Sequence, residues 1–177
     1  MSKKSGKKNP NNLSFRRILW LEDRPDTIGA EAEYIDAMPN LKLELCPSLT
    51  ELYNNLQQWE TESETYPVAA IILDIQVFGA TSLQPFIKDR PIQFLPNQAG
   101  RMLAEHVLRE KGSKYRDIPL LFFTIQSISQ RDKIFVEKLN NRGESVQWIE
   151  KRSSSVEPMP SFVEWVEKLS SALSSLK

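Results

Sequence analysis

The chain has 177 residues, of which 40% are apolar and 26% are charged, and its 23 basic residues balance 23 acidic ones. This length and composition fit one domain with a sizeable core. The zero net charge argues against a dedicated nucleic-acid binder, because such proteins carry a basic face. No apolar run approaches the roughly 20 residues of a membrane-spanning helix. Neither nucleic acid nor membrane is therefore expected as a partner.

Residues 1–13 are rich in lysine and asparagine and contain no long apolar stretch. This composition predicts a disordered basic tail rather than a secretory signal. The folded domain is expected over 14–177. Cys46 is the single cysteine, so it cannot form an internal disulfide. A reducing, cytoplasmic compartment is the simplest interpretation.

The first predicted element is a strand over 18–21, a nearly continuous apolar run that ends in Glu22 and Asp23. Such a run is typical of a parallel strand covered on both faces. A helical pattern follows it over about 26–38. The acids therefore lie at the carboxyl end of a buried strand.

A second strand is predicted over 41–45, where leucines alternate with polar residues as on an edge strand. A helix then starts behind Ser48, which forms a capping-box pattern with Glu51. Residues 69–73 are wholly apolar and predict a third, buried strand. That strand places Asp74 at its carboxyl end.

The second half of the chain continues the alternation. A helix is predicted over 99–111, and Gly112 is placed to end it. Residues 118–123 predict a buried strand that ends in Thr124.

The last three predicted elements are a helix, a strand and a helix. The helix covers about 129–141, and the strand over 146–149 ends close to Lys151. Ser161 is expected to begin the final helix, with Glu164 completing a second capping box.

Five strands that alternate with five helices predict an α/β fold, a doubly wound five-stranded parallel sheet. In such sheets ligands bind outside the carboxyl ends of the strands. Five side chains at those ends are therefore expected to converge: Glu22, Asp23, Asp74, Thr124 and Lys151.

The three acids of this set predict a metal site. Carboxylates that share a crevice repel one another, and Mg²⁺ relieves the repulsion while keeping several waters. Asp23 and Asp74 are predicted to bind the metal directly, together with the backbone carbonyl of Gln76. Glu22 is predicted to act through a metal-bound water.

The same set predicts phosphoryl chemistry. Asp74 would be the nucleophile that accepts a phosphoryl group as an aspartyl phosphate. Lys151 would place a positive charge at one phosphoryl oxygen, and the hydroxyl of Thr124 would donate to another.

This order of strand-end residues resembles the response-regulator receiver domain, a CheY-like signalling domain, over about 15–176. The resemblance implies the flavodoxin-like strand order 2-1-3-4-5. It implies a histidine kinase or phosphotransfer protein as donor, with no enzymatic activity beyond self-phosphorylation and self-dephosphorylation. It also implies that Trp148 is the aromatic switch residue and that the output is contact with a downstream protein target. A homodimer is compatible with this interpretation.

The chain departs from the family pattern in four places. Arg152 stands where the family has a proline, Ile125 replaces a small residue, and Trp148 is bulkier than the usual aromatic residue. The loop after the third strand is long. Its residues 78–98 are expected to pack near the site, as a lid or a partner surface.

Two alternative interpretations remain. A receiver-like pseudo-domain would bind its partner through 78–98 without phosphorylation. A phosphohydrolase resembling the haloacid dehalogenase-like group would also use a strand-end Asp, a Ser or Thr, and a Lys around Mg²⁺. Gln76 stands where that group carries its general acid, which argues against the enzyme.

Overall fold

The computed structural model describes residues 15–87, 92–152 and 156–175. Its strands are β1 (Arg16–Leu21), β2 (Leu41–Cys46), β3 (Val68–Leu73), β4 (Leu120–Thr124) and β5 (Val146–Glu150). Its helices are α1 (Gly29–Asp36), α2 (Leu49–Thr61), α3 (Ala99–Leu103), α4 (Gln130–Asn140) and α5 (Pro160–Ser174). Short 3₁₀ turns, Pro25–Thr27 and Pro96–Gln98, precede α1 and α3, and a π-helical turn, Ala104–Leu108, continues α3. The predicted tail over 1–13 lies outside the described residues.

The five strands form one parallel sheet in the order β2-β1-β3-β4-β5. This order confirms the predicted fold class. β2 lies at an edge, which explains its alternating sequence, whereas β1 and β3 have neighbours on both sides. The register pairs Leu21 with Leu73, so the residues that follow β1 and β3 emerge side by side.

The core has two halves, one on each face of the sheet. In β1, Leu19 and Leu21 pack towards α2, α3 and α4, whereas Ile18 and Trp20 pack towards α1 and α5. Trp20 is fully buried and lies 5.5 Å from the ring of Phe162 on α5. Burying each such side chain contributes roughly 1.5–3 kcal/mol, and Trp20 lies two residues before Glu22 at the carboxyl end of β1.

The predicted start of α5 was wrong. The helix begins at Pro160, and its N-cap residue Met159 makes no side-chain capping bond. Glu164 instead pairs with Lys168 one turn later, at 2.7 Å. Proline at the first helical position needs no cap for a missing N–H. Pro160, directly before Ser161, was therefore a helix-start signal already present in the sequence.

The helix predicted over 99–111 is shorter than expected. The π-helical turn ends at Leu108, and Gly112 adopts a positive φ of 86° in the turn beyond it. The buried guanidinium of Arg109 donates to the carbonyl of Tyr115 at 2.8 Å and to that of Ile118. These bonds hold the chain after Leu108 in a compact turn that leads into β4.

Among the described residues, none of the helices is long and apolar enough to cross a membrane.

Candidate functional site

The acidic cluster is formed by Glu22, Asp23 and Asp74 at the carboxyl edge of the sheet. One carboxylate oxygen from each residue lies within 4.8 Å of the others. Glu22 is 1% exposed and Asp74 is 4% exposed. The pairing of β1 with β3 explains this proximity, because the acids directly follow two neighbouring strands.

Lys151 reaches this cluster from the end of β5. Its ammonium lies 2.9 Å from Oδ2 of Asp74 and also forms an ion pair with Oε2 of Glu22. Among the described residues, it is the only cationic side chain paired with the cluster. The cluster thus holds three carboxylates and one ammonium, which pairs with two of them, and the excess negative charge favours a bound cation.

The electrostatic cost of this arrangement appears at Glu22. Burial raises the pKa of its carboxyl above the usual value, and the charge of Asp74 adds to the effect. Lys151 and the backbone N–H of Arg24, which donates to Oε1 at 3.1 Å, act in the opposite direction. The raised pKa shows that burial outweighs these favourable contacts.

Asp23 differs from the other two acids in its partners. Its Oδ2 accepts a hydrogen bond from the backbone N–H of Phe78 at 2.8 Å. Its Oδ1 is buried and has no hydrogen-bond partner in the described part of the chain. An unsatisfied carboxylate oxygen beside two further carboxylates fits a hard divalent cation. The cluster can therefore hold a divalent metal.

Asp74 is held by its own loop as well as by Lys151. The backbone N–H of Gln76 donates to Oδ1 of Asp74 at 3.2 Å. This contact turns the chain back over the carboxylate and brings Gln76 next to the cluster. The predicted metal contact of the Gln76 carbonyl stays a prediction.

Gly100, at the start of α3, packs directly on the backbone of Asp74. Its N–H donates to the carbonyl of Ile75 at 3.0 Å. A Cβ at this position would lie 1.9 Å from the carbonyl oxygen of Asp74. Only glycine therefore permits α3 to approach the acidic cluster so closely.

Thr124 lies at the end of β4 and is fully buried. Its hydroxyl accepts the backbone N–H of Gln126 at 3.3 Å. The side-chain amide of Gln126 donates to the carbonyl of Asn97 at 3.0 Å, which ties this loop to the turn before α3. The neighbouring Ile125 is 50% exposed. The predicted phosphoryl contact of Thr124 stays a prediction.

Trp148 lies on β5, three residues before Lys151, and is half-buried. Its ring centre is 5.1 Å from that of Phe122, and its indole N–H is buried without a hydrogen-bond partner in the described residues. The structure places the ring on the face of the sheet covered by α4. Its predicted switching role stays a prediction.

The segment 78–98 starts at the cluster and then runs along the core. Leu83 is buried, and Phe86 meets the ring of Tyr53 on α2 edge-on at 5.2 Å. A cavity of about 260 Å³ lies between residues 77–84 of this region and the start of α2. The described part of the segment thus packs mainly on α2 and the core, and Phe78 contacts the cluster. Residues 88–91 lie outside the described residues.

Three contacts of the site were missed by the sequence analysis: the direct Glu22–Lys151 ion pair, the Phe78 amide on Asp23, and the approach of Gly100 to Asp74. The position of Gly100 at the start of a predicted helix was a sequence signal for its close approach to Asp74. The other two contacts depend on how distant segments meet, which no local pattern encodes.

Several solved structures resemble this chain along nearly its whole length. The manganese-bound form of response regulator Rcp1 aligns with 88% of this chain and 92% of its own, with a TM-score of 0.53 and 16% identity. A CheY-like receiver domain protein from Methanospirillum hungatei JF-1 aligns with 92% of this chain and 96% of its own, with a TM-score of 0.51 and 13% identity. The chain has the receiver-domain fold.

The phosphorylated cyanobacterial phytochrome response regulator RcpA gives the same result. It covers 89% of this chain and 91% of its own, with a TM-score of 0.50 and 14% identity. At these identities the likeness concerns the fold. No protein-family model and no curated protein sequence matches the chain.

Proposed function

We propose that this protein is a receiver domain of a phosphorelay, in which Asp74 accepts a phosphoryl group from a histidine kinase or a phosphotransfer protein. The observation that carries the proposal is the buried Asp74 carboxylate, 2.9 Å from the Lys151 ammonium and clustered with two further acids. The receiver-domain fold supports it, because the cluster lies at the carboxyl edge where ligands of such sheets bind.

In the proposed reaction, a carboxylate oxygen of Asp74 attacks the phosphorus of a phosphohistidine. A P–O bond forms and the P–N bond breaks. The electron pair of the broken bond stays on the imidazole nitrogen, which takes up a proton from solvent. Lys151 holds the carboxylate in place before the attack and balances the negative charge of the phosphoryl group after it.

Mg²⁺ is the proposed cofactor. Asp23 and Asp74 would hold it directly, with the carbonyl of Gln76, and Glu22 would act through water. When bound, the ion would neutralise negative charge on the phosphoryl oxygens. The unpartnered Oδ1 of Asp23 and the charge excess of the cluster support a divalent ion, and the oxygen-only donor set favours magnesium.

The proposed output is a change in protein–protein contact. Thr124 would donate its hydroxyl to a phosphoryl oxygen, and the half-buried Trp148 would change its packing in response. The downstream partner would be a cytoplasmic protein, and a homodimer is compatible with this output. The proposed folded unit covers 14–177, with 78–98 as an insertion after the acceptor strand.

The test is incubation with acetyl phosphate and Mg²⁺, followed by intact-mass measurement. We expect one added phosphoryl group in the wild type and in an Asp117→Asn control, whose carboxylate is exposed before β4 at the opposite edge of the sheet. Asp74→Asn should remain unmodified. No addition to the wild type, or addition that survives Asp74→Asn, would refute the proposal.

The two alternative functions give different results in the same experiment. A pseudo-receiver adaptor would take up no phosphoryl group and would bind its partner equally well as Asp74→Ala. A phosphohydrolase would release phosphate continuously from a phosphomonoester. Gln76 supplies an amide rather than an acid two residues after Asp74, so the chain lacks the proton donor that such turnover needs at that position.

A further inference from the structure

Asp23 is held in place by a segment that is distant in sequence. The backbone N–H of Phe78, 55 residues along the chain, donates to its Oδ2 at 2.8 Å. The other oxygen, Oδ1, is buried and unpartnered among the described residues. With one oxygen bonded and the other free, the carboxylate has a fixed orientation with one oxygen available to a ligand.

The other two acids of the cluster are oriented differently. Glu22 and Asp74 both pair with the ammonium of Lys151. Asp23 has no ion pair with this lysine in the described part of the chain. Its orientation therefore depends on the Phe78 amide, and a bond to a charged carboxylate is among the stronger hydrogen bonds in proteins.

We propose that Phe78 is a positioning residue for the divalent-metal site, acting through its backbone amide on Asp23, and that metal binding in turn stabilises the start of the 78–98 segment. This inference rests on the proposed function, because it requires a cation at the cluster. Groups that orient a metal ligand affect binding strongly, and their loss typically lowers metal affinity about 10- to 100-fold.

The phenyl ring of Phe78 is separable from its amide. The ring is 60% exposed, and its described contact is with the guanidinium of Arg24, 5.6 Å from the ring centre. Removing an exposed ring costs little packing. Phe78→Ala therefore keeps the amide, whereas Phe78→Pro removes the N–H donor at the same position.

The coupling also acts in the opposite direction. Because the amide bond favours metal binding, the metal must favour the amide bond by the same factor. The segment beyond Phe78 reaches the buried Leu83 within five residues. Metal occupancy is therefore expected to protect amides at the start of this segment from hydrogen exchange.

The first experiment is calorimetric titration with MgCl₂ and, separately, MnCl₂. We expect Phe78→Ala to bind within about threefold of the wild type and Phe78→Pro to bind at least about tenfold more weakly. Equal affinity of the alanine and proline variants would overturn the positioning role while leaving the metal site intact. Absence of binding by the wild type would overturn both the metal site and this inference.

The second experiment needs no metal and no proline, so it does not depend on the folding of Phe78→Pro. Amide exchange is measured by NMR in chelator for the wild type and Asp23→Ala. The Phe78 amide should exchange at least about tenfold faster in the variant, while the Gln76 amide, which is bonded to Asp74, should be unchanged. An unchanged Phe78 amide would overturn the inference.

Discussion

Gly100 is the point at which α3 touches the backbone of the proposed phosphoryl acceptor. A Cβ there would lie 1.9 Å from the carbonyl oxygen of Asp74 and 2.9 Å from its carbonyl carbon, whereas Cβ contacts under 3.0 Å are essentially never observed. In a Gly100→Ala variant, α3 or Asp74 must therefore move by about 1.1 Å, the difference between 1.9 and 3.0 Å. The two Asp74 atoms that the added Cβ would meet, the carbonyl oxygen and the carbonyl carbon, belong to the backbone, so no flexible side chain can absorb the shift.

The expected cost follows from two opposing effects. Inserting a methyl group into a packed region typically costs about 1–3 kcal/mol, whereas alanine is favoured over glycine in a helix by roughly 1 kcal/mol. We expect the free energy of unfolding of Gly100→Ala to fall by about 1 kcal/mol. Phosphoryl uptake should fall far more, by as much as about 100-fold, because a misplacement of about 1 Å disrupts the alignment of a nucleophile.

The assay combines urea unfolding, followed by tryptophan fluorescence, with the rate of mass addition from acetyl phosphate. Gly29→Ala is the matched control, because Gly29 is the first residue of α1 and a Cβ there meets nothing within 4 Å. This control should be as reactive as the wild type and at least as stable, with a gain of up to roughly 1 kcal/mol because alanine is favoured over glycine in a helix. The reasoning fails if Gly100→Ala behaves like Gly29→Ala in both measurements.

Three further predictions concern the charge, the metal and the thiol. Burial raises the pKa of Glu22, so the contribution of this residue to folding stability is fully present below the usual value of 4.5 and is lost as pH rises through the higher native pKa. Metal-free Glu22→Gln should therefore unfold at higher urea than the wild type at pH 7 but not at pH 4. The control Glu164→Gln, at an exposed position, should show no such gain. Mg²⁺ at 100 times its Kd should add about 2.7 kcal/mol to the free energy of unfolding, and a gain of equal size in Asp23→Asn would contradict the assigned ligand. Burial raises the pKa of the Cys46 thiol to about 11, so an aromatic disulfide reagent at pH 8 should label it only after unfolding, and rapid labelling of the native protein would show that the thiol is accessible.

The order of the strands and the acids at their ends could be predicted because buried parallel strands have a simple sequence pattern. Residues 69–73 must be apolar on both faces, so the first polar residue, Asp74, marks the carboxyl edge of the sheet. The same reasoning placed Glu22 and Asp23 beside it. The prediction succeeded where one local rule, strand burial, decides the position of the residue.

The remaining contacts could not be predicted because they depend on tertiary approach. The early end of the third helix is set by Arg109, whose buried guanidinium also lies 3.4 Å from Glu144, a residue in the distant turn before β5. The sequence around Arg109 resembles that of an ordinary helix. Likewise, the pairing of Lys151 with Glu22 depends on the side-chain conformations of two residues 129 positions apart.

Glu22 is the residue at which stability and metal binding oppose each other. Without a cation, its charge is buried beside Asp74 and is only partly balanced by Lys151, which is why its pKa is raised. A divalent ion would remove this penalty, and the neutral Glu22→Gln side chain would gain less from the ion. The variant should therefore be the more stable protein in chelator and the less stable one at saturating Mg²⁺. If the stability advantage of Glu22→Gln is the same in chelator and at saturating Mg²⁺, Glu22 contributes nothing to cation binding, and Asp23 and Asp74 must hold the ion without it.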